Sequence, residues 1–300
     1  MSVAAAPIEH GIIEADGARL HVARLGAGRP LLLLHGWPEF WLTWEKVMRR
    51  LADRFTLIAP DLRGFGDSVA DDQTAHDRTG ADAHAVDMLT VLDTLCVGRV
   101  GVVGHDVGGA VMQALARRAP ERLVGVFGFN FVHPAIGKRM GAPDRLSEIW
   151  YQSFNQMALA ETLIGASREA CAAYIGHFLR HWAGRPDAFD DVIDAWIDNF
   201  RKPGNLVGGF NWYRAAHDGR VAMMEGRAPA LPPIAVPACI RWTDRDPIFP
   251  PDFADGLETV FATLDRGTFP GAGHFPHREA PDRAAAEIGA FFDRVWPDTP

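Results

Sequence analysis

Strand-like and helix-like stretches alternate along much of this chain, and the alternation is interrupted once. The strand-like runs are short and apolar, as buried strands are: residues 31–34, 55–59, 99–103, 123–129, 238–243 and about 262–269. Helical spacing of apolar residues follows most of these runs, as in residues 85–95. Alternation of this kind is typical of an α/β fold in which helices flank a mostly parallel central sheet.

The interruption predicts a helical insertion, residues 135–225, because no strand-like run occurs there. Helical stretches rich in aromatic residues fill it instead: about residues 146–157, 168–182, 188–200 and 206–216. Residues 1–134 and 226–300 are then two parts of one core domain, whose other predicted helices are residues 44–51, 111–119, 253–261 and 281–295. An insertion that follows a strand end is expected to form a cap domain over the carboxyl edge of the sheet, where ligands bind in open α/β sheets.

The charge balance and the cysteines argue against several classes of protein. Thirty basic against 38 acidic residues give a net charge of −8, whereas a nucleic-acid-binding protein needs a basic face. No run approaches the roughly 20 apolar residues of a membrane span, and the first residues lack the pattern of a signal peptide. Three widely separated cysteines, Cys96, Cys171 and Cys239, fit reduced thiols rather than disulfides or zinc ligands. We therefore expect a cytoplasmic protein with no membrane or nucleic-acid partner.

The segment from Gly104 to Gly109 reads Gly-His-Asp-Val-Gly-Gly and lies between a predicted strand and a predicted helix. A sharp turn of small residues in this context exposes its central side chain as a nucleophile. Here the central residue is Asp106, and a carboxylate nucleophile forms an ester with its substrate. Such attack suits a saturated electrophilic carbon, as in an epoxide or a carbon–halogen bond. A glycine-rich turn in which Asp106 only caps the helix is the alternative.

Two later loops supply the partners that such a nucleophile needs. His274 lies in a glycine-rich loop after the last predicted strand, and Asp246 follows the strand before it. The order nucleophile, acid, histidine is the one in which this turn motif is used as a nucleophile elbow. Asp244 is the second choice for the acid. Asn130, which follows the strand at residues 123–129, cannot serve as an acid.

Together these motifs resemble the α/β-hydrolase superfamily, and within it the branch of epoxide hydrolases and of haloacid and haloalkane dehalogenases. The resemblance rests on five segments: residues 35–38 (His-Gly-Trp-Pro), 61–68 (Asp-Leu-Arg-Gly-Phe-Gly-Asp-Ser), 104–109, 246–247 (Asp-Pro) and 273–275 (Gly-His-Phe). It implies that Asp106 is the nucleophile, that His274 activates water and that Asp246 orients His274. It also implies an oxyanion hole made by the backbone amides of Trp37 and Val107.

The chain has 18 Phe and 9 Trp but only 3 Tyr, and two of the tyrosines lie in segments that resemble the cap segments of epoxide hydrolases. These segments are residues 150–154, around Tyr151, and residues 210–214, around Tyr213. The resemblance implies that both phenols hydrogen-bond the epoxide oxygen as negative charge develops on it. Packing of both tyrosines is the alternative. Tyr174 has no such context and is expected only to pack.

The dehalogenases resemble this chain less closely. Fluoroacetate-type enzymes carry arginine directly after the nucleophile and three residues later, and haloalkane dehalogenases carry a halide-binding tryptophan directly after it. Those positions are Val107 and Ala110 here. The sequence therefore predicts an epoxide hydrolase that converts an epoxide and water into a vicinal diol. A dehalogenase with the same nucleophile is the alternative, and a non-catalytic ligand-binding member of the fold is a third reading.

Side chains beside the motifs are expected to contact the substrate: His35, Trp37, His105, Trp150, Gln152, Trp212 and Phe275. The ester chemistry requires no metal or organic cofactor, and His274 and His277 have no third ligand nearby in the sequence. The expected partner is a small-molecule epoxide, and a homodimer stays open as the oligomeric state.

Overall fold

The computed structural model describes residues 6–297, and these residues form one nine-stranded sheet. The strands are β1 (Glu9–Ala15), β2 (Ala18–Leu25), β3 (Arg29–Leu34), β4 (Phe55–Pro60), β5 (Val69–Ala70), β6 (Val100–His105), β7 (Leu123–Phe129), β8 (Ala238–Thr243) and β9 (Leu264–Phe269). Their order is β1-β2-β4-β3-β6-β7-β8-β9, with β5 paired to β2. All pairs from β4 to β9 are parallel, and β2 pairs antiparallel with its neighbours. The predicted fold class is confirmed.

Helices cover both faces of the sheet. They are α1 (Glu45–Leu51), α2 (Ala81–Thr94), α3 (Val107–Arg118), α4 (Leu146–Phe154), α5 (Ala158–Gly165), α6 (Arg168–His181), α7 (Ile193–Phe200), α8 (Asn205–Ala215), α9 (His217–Met224), α10 (Leu257–Val260), α11 (Pro276–Glu279) and α12 (Pro281–Val295). Helices α1 and α12 pack on one face, and α2 and α3 on the other. None of the helices in the described part of the chain is long and apolar enough to span a membrane.

Residues 31–34 of strand β3 are all apolar because both faces of this strand are buried. Leu31 and Leu33 belong to the core on the α1 and α12 face, whereas Leu32 and Leu34 belong to the core on the α2 and α3 face. A strand buried on both faces needs apolar residues at every position rather than at alternate ones. Parallel pairing of β3 with β6 sets Leu34 beside Gly104, so the loops after these strands meet at one edge of the sheet.

The helical insertion contributes α4 to α9, and no strand lies between β7 and β8 in the described residues. Its buried side chains join the core on the α2 and α3 face: Ile175, Phe178 and Trp196 from the insertion lie in the same cluster as Trp37 and Phe40. The insertion therefore packs onto the loop that follows β3.

Several predicted boundaries were wrong. Helix α3 begins at Val107 rather than at residue 111, because tertiary packing overrides the poor helix propensity of Gly108 and Gly109. Helix α7 begins at Ile193 rather than at residue 188. Strand β1 was missed because it is exposed at most positions and shows no alternation of apolar and polar residues. Strands β2 and β5 were missed as well. Helices α5 and α9 were also missed.

Candidate active site

Asp106 lies at the turn between β6 and α3, and its backbone has a positive φ (φ 49°, ψ −113°). Non-glycine residues rarely adopt this conformation, which is typical of strained functional positions. Only glycine fits at position 108, because a Cβ there would lie 2.2 Å from the Leu34 carbonyl oxygen. The Asp106 side chain makes no capping hydrogen bond to α3, and it is 16% exposed and lines a cavity. Its geometry is therefore that of a turn residue whose side chain faces the cavity and not that of a helix cap.

The backbone amide of Trp37, just beyond β3, faces the Asp106 carboxylate. It donates a hydrogen bond to Asp106 Oδ1 at 2.9 Å. Val107 is the first residue of α3 and lines the same cavity, and no hydrogen bond joins its amide to Asp106 within residues 6–297. Of the two amides predicted to form the oxyanion hole, that of Trp37 contacts the Asp106 carboxylate, and that of Val107 belongs to the residue directly after Asp106.

His274 and Asp246 form a buried pair behind Asp106. His274 Nδ1 donates to Asp246 Oδ2 at 2.7 Å, since an ionised carboxylate can only accept. His274 Nε2 then faces Asp106 Oδ2 at 3.9 Å and has no hydrogen-bond partner in the described part of the chain. Burial opposes protonation of His274, but the charges of Asp246 and Asp106 outweigh it and raise its pKa to about 9.

Asp246 is held from several sides. Its Oδ1 accepts from the amides of Ile248 at 2.8 Å and Phe249 at 3.1 Å, and Asn130 Nδ2 donates to its Oδ2 at 2.5 Å. Burial disfavours its charge, yet His274 and these donors lower the net pKa of Asp246. Asp244 is exposed and accepts instead from the Gly271 amide at 2.8 Å. The structure therefore brings Asp246, and not Asp244, to His274.

Tyr151 on α4 and Tyr213 on α8 both line the cavity that holds Asp106. Their rings are 5.6 Å apart and perpendicular, and Trp37 stacks on Tyr151 at 5.3 Å. Tyr151 Oη accepts from Gln152 Nε2 at 3.4 Å. Burial, together with the nearby Asp106 charge, raises the pKa of both phenols, so both are neutral donors at pH 7. Tyr174 does not line the cavity, and its Oη donates to Asn155 Oδ1.

Of the other predicted substrate contacts, only Gln152 and Trp212 line the cavity. Trp37 is fully buried beneath the tyrosines. The prediction that Trp150 contacts the substrate is wrong, because Trp150 is 43% exposed and packs on Tyr174 and Phe178. Adjacent positions of a helix point about 100° apart, so Trp150 faces away when Tyr151 faces inward.

Three further predicted contacts lie behind the cavity wall. His35 is fully buried, with Nδ1 bonded to the Gly36 carbonyl oxygen and Nε2 accepting from the Leu62 amide. His105 donates from Nε2 to the His274 carbonyl oxygen at 2.7 Å. Phe275 is buried against Phe189 at 4.9 Å. All three side chains contact other protein groups and lie behind the cavity wall, so they support the site and do not line it.

Sequence reasoning missed a buried carboxylate beneath the site, Glu39. Its Oε2 accepts from the Gly36 amide at 2.8 Å and from His105 Nδ1 at 2.7 Å, and its Oε1 lies 2.9 Å from His277 Nε2. His105 and His277 together outweigh the effect of burial and hold the pKa of Glu39 well below its usual value. Glu39, His105 and His277 also have the side-chain chemistry of metal ligands. Their ligand atoms are already hydrogen-bonded to one another, so the arrangement is that of a buried hydrogen-bond network joining the β3 loop to the His274 loop.

The cavity itself has a volume of about 640 Å³. Besides the residues above, its wall includes side chains that no motif pointed to: Arg117, Val132, Met140, Arg220, Met223 and Phe249. They come from both the sheet loops and the helical insertion, so only the folded chain brings them together.

A family model described as alpha/beta hydrolase fold matches residues 29–281. The chain belongs to the α/β hydrolase fold family. It is 28% identical to the soluble epoxide hydrolase of Corynebacterium sp. (strain C12), over 91% of this chain and 93% of that protein. It is 32% identical to epoxide hydrolase 2 of Siraitia grosvenorii, over 69% of this chain and 72% of that protein.

A solved structure of the epoxide hydrolase CorEH, without ligand, superposes on the chain with a TM-score of 0.81. That structure is 26% identical, and the match covers 96% of this chain and 100% of that one. Within the family, the chain therefore belongs to the epoxide hydrolase branch, as the motif resemblance predicted.

Proposed function

We propose that this chain is an epoxide hydrolase that converts an epoxide and water into a vicinal diol through an ester on Asp106. The observation that carries the proposal is one cavity in which Asp106 lies 3.9 Å from His274 and shares the wall with two buried tyrosines. The similarity to several proteins named epoxide hydrolases supports it.

The first step opens the epoxide ring. A carboxylate oxygen of Asp106 attacks one ring carbon, so a carbon–oxygen bond forms to the aspartate and a carbon–oxygen bond of the ring breaks. The Trp37 amide, on Oδ1, fixes the carboxylate during the attack. The ring oxygen takes up negative charge and then a proton from Tyr151 or Tyr213, whose raised pKa keeps the phenols protonated until that moment.

The second step hydrolyses the ester. Esterification removes the Asp106 charge, which is one of the charges that hold His274 protonated, so the pKa of His274 falls. Its proton restores the phenol, and the neutral Nε2 can accept a proton from water. The water oxygen attacks the ester carbonyl carbon, and the amides of Trp37 and Val107 stabilise the oxyanion. The bond between that carbon and the diol oxygen breaks, and the proton left on the former water oxygen passes to the departing alkoxide, which releases the diol and regenerates the Asp106 carboxylate.

A dehalogenase with the same nucleophile is not favoured. Val107 and Ala110 line the cavity beside Asp106 and offer neither the arginines nor the tryptophan expected in that chemistry. The compared relatives are named epoxide hydrolases.

Three broader features belong to the same proposal. Residues 135–225 act as a cap domain over a core of residues 1–134 and 226–300, because the insertion supplies both tyrosines. The protein works in the cytoplasm, where its free cysteines stay reduced. A homodimer is the oligomeric state to test first.

The deciding experiment is a single turnover of an aryl epoxide in ¹⁸O-labelled water. The ester route delivers an Asp106 oxygen to the product, so the first diol should be unlabelled. Label in that first diol would contradict the ester. Asp106→Ala should abolish turnover, and a chain that binds the epoxide without any turnover would instead be a ligand-binding protein.

A further inference from the structure

Two arginines distinguish the cavity from the rest of the molecule. Most arginines in residues 6–297 pair with a carboxylate, as Arg63 does with Asp87 at 2.6 Å. Those in the same range without such a partner are exposed, with two exceptions, Arg117 and Arg220. Both exceptions are partly buried, and both line the cavity that holds Asp106. The two partly buried arginines without a carboxylate partner therefore both lie in the cavity where the substrate is proposed to bind.

Arg220 is the less compensated of the two. It lies on α9, and its guanidinium makes no hydrogen bond or ion pair to any other described residue. Arg117, in the last turn of α3, donates to the Gln113 carbonyl oxygen at 3.4 Å and has the charge of Asp82 nearby. Burial lowers the pKa of Arg220, and Tyr151 and Tyr213 are the neighbouring titratable groups that act against this effect.

Withdrawing a guanidinium from water without a counter-ion costs free energy, and arginine is rarely buried unless it is paired. A bound anion would remove that cost. Acidic side chains do lie on the same cavity, but Asp77 and Asp82 are exposed and are not paired with Arg220, and Asp106 is engaged by Trp37 and faces His274. The protein thus provides a cation in the substrate cavity and no protein anion for it.

We propose that Arg220 binds a carboxylate group of the substrate, so that the enzyme acts on epoxides that carry an acid group. The inference rests on the proposed function and names the substrate class of that same site. A guanidinium can hold one carboxylate through two parallel hydrogen bonds. Apolar side chains of the wall, among them Met140, Met223 and Leu231, suit the hydrocarbon between the acid and the epoxide ring.

The test compares an epoxide that carries a carboxylate with its methyl ester, which has the same carbon skeleton and ring. kcat/KM is measured for both compounds with the wild type, with Arg220→Gln and with Arg201→Gln. Arg201 is the matched control, since it is an exposed arginine with no carboxylate partner in residues 6–297. We expect the wild type to prefer the acid at least about tenfold, which is the size of one charge-assisted hydrogen bond.

In Arg220→Gln the kcat/KM for the acid, divided by the kcat/KM for the ester, should fall about 10- to 100-fold. Arg201→Gln should keep the wild-type ratio. An unchanged ratio in Arg220→Gln would overturn the proposal. So would an equal loss for both compounds, because Arg220 would then act on the reaction or the fold and not on the carboxylate. A wild type that hydrolyses both compounds without preferring the acid overturns the carboxylate site and leaves epoxide hydrolysis standing.

A binding measurement keeps the two proposals separable. The wild-type protein is titrated calorimetrically with the dihydroxy acid product and with the methyl ester of that product. This comparison of binding requires neither turnover nor a variant that folds. Tighter binding of the acid, weakened by added salt, supports the carboxylate site even if no epoxide is hydrolysed, in which case only the proposed function fails. Equal binding of acid and ester overturns the carboxylate site.

Discussion

Asn130 donates from Nδ2 to Asp246 Oδ2 at 2.5 Å, and the same carboxylate oxygen accepts from His274 Nδ1 at 2.7 Å. The Asn130 carbonyl oxygen accepts from the Asp106 amide at 3.0 Å. Its backbone has a positive φ of 33°, a conformation that asparagine tolerates better than most residues. A residue that cannot itself be an acid therefore connects the acid to the nucleophile turn.

Asn130→Gly should slow hydrolysis of the Asp106 ester about tenfold, a loss of about 1.4 kcal/mol. Glycine accepts the positive φ, so the change removes the amide donor and leaves the backbone in place. Asp246 then orients His274 less firmly. Single-turnover kinetics should show the ester accumulating, whereas Asp244→Asn, at the exposed acid, should behave as the wild type. Equal ester lifetimes in Asn130→Gly and the wild type would refute this role.

Tyr151→Phe and Tyr213→Phe should each slow ring opening about 10- to 100-fold, because each removes a hydrogen bond to a developing charge. Pre-steady-state measurement of ester formation isolates this step. Tyr174→Phe is the matched control: it should leave the rate unchanged, but it should reduce the free energy of unfolding by about 1 kcal/mol, since it removes the bond to Asn155. A slower ring opening in Tyr174→Phe would show that packing, and not the phenols, sets the rate.

The loops that end the parallel strands could be predicted from the sequence because each carries its chemistry in a few adjacent residues. The turn at Asp106 and the loops of Asp246 and His274 are such segments, and the structure brings them together. Their order along the chain was enough, since parallel strands present all their carboxyl ends at one edge.

Side-chain direction and long-range pairing could not be predicted in this way. Trp150 and Tyr151 are neighbours in the sequence, yet only Tyr151 faces the cavity, because the packing of α4 decides which side is buried. Glu39 and His277 are separated by 238 residues and meet only after the sheet forms. Arg220 looks like any surface arginine until α9 is placed against the cavity.

Stability should fall between pH 6.5 and pH 9 because His274 has a raised pKa. An unfolded histidine titrates near pH ~6.5, and the native His274 pKa is about 9. The native state therefore binds the proton more tightly, so the stabilisation is complete below the lower value and is lost as the pH rises through the higher one. Each unit of difference between the native and the unfolded pKa corresponds to about 1.4 kcal/mol, so the free energy of unfolding should decrease by about 3 kcal/mol. Urea unfolding across this range should show the decrease in the wild type and a flatter profile in His274→Gln, and two parallel profiles would contradict the assignment.

Glu39→Gln should destabilise the fold by about 1–3 kcal/mol, because it disrupts the hydrogen bonds that buried donors make to the carboxylate. His105 bonds to the Glu39 carboxylate through Nδ1 and to the His274 carbonyl oxygen through Nε2, and both of these oxygens are acceptors. Loss of the Glu39 carboxylate therefore weakens the connection that runs from the β3 loop through the His105 ring to the His274 loop. The matched control is Glu9→Gln, whose carboxylate pairs with Arg24 at the exposed surface and should contribute less than about 1 kcal/mol. Urea denaturation at pH 7 measures both losses, and a Glu39→Gln variant as stable as Glu9→Gln would show that the Glu39 carboxylate does not support the His274 loop.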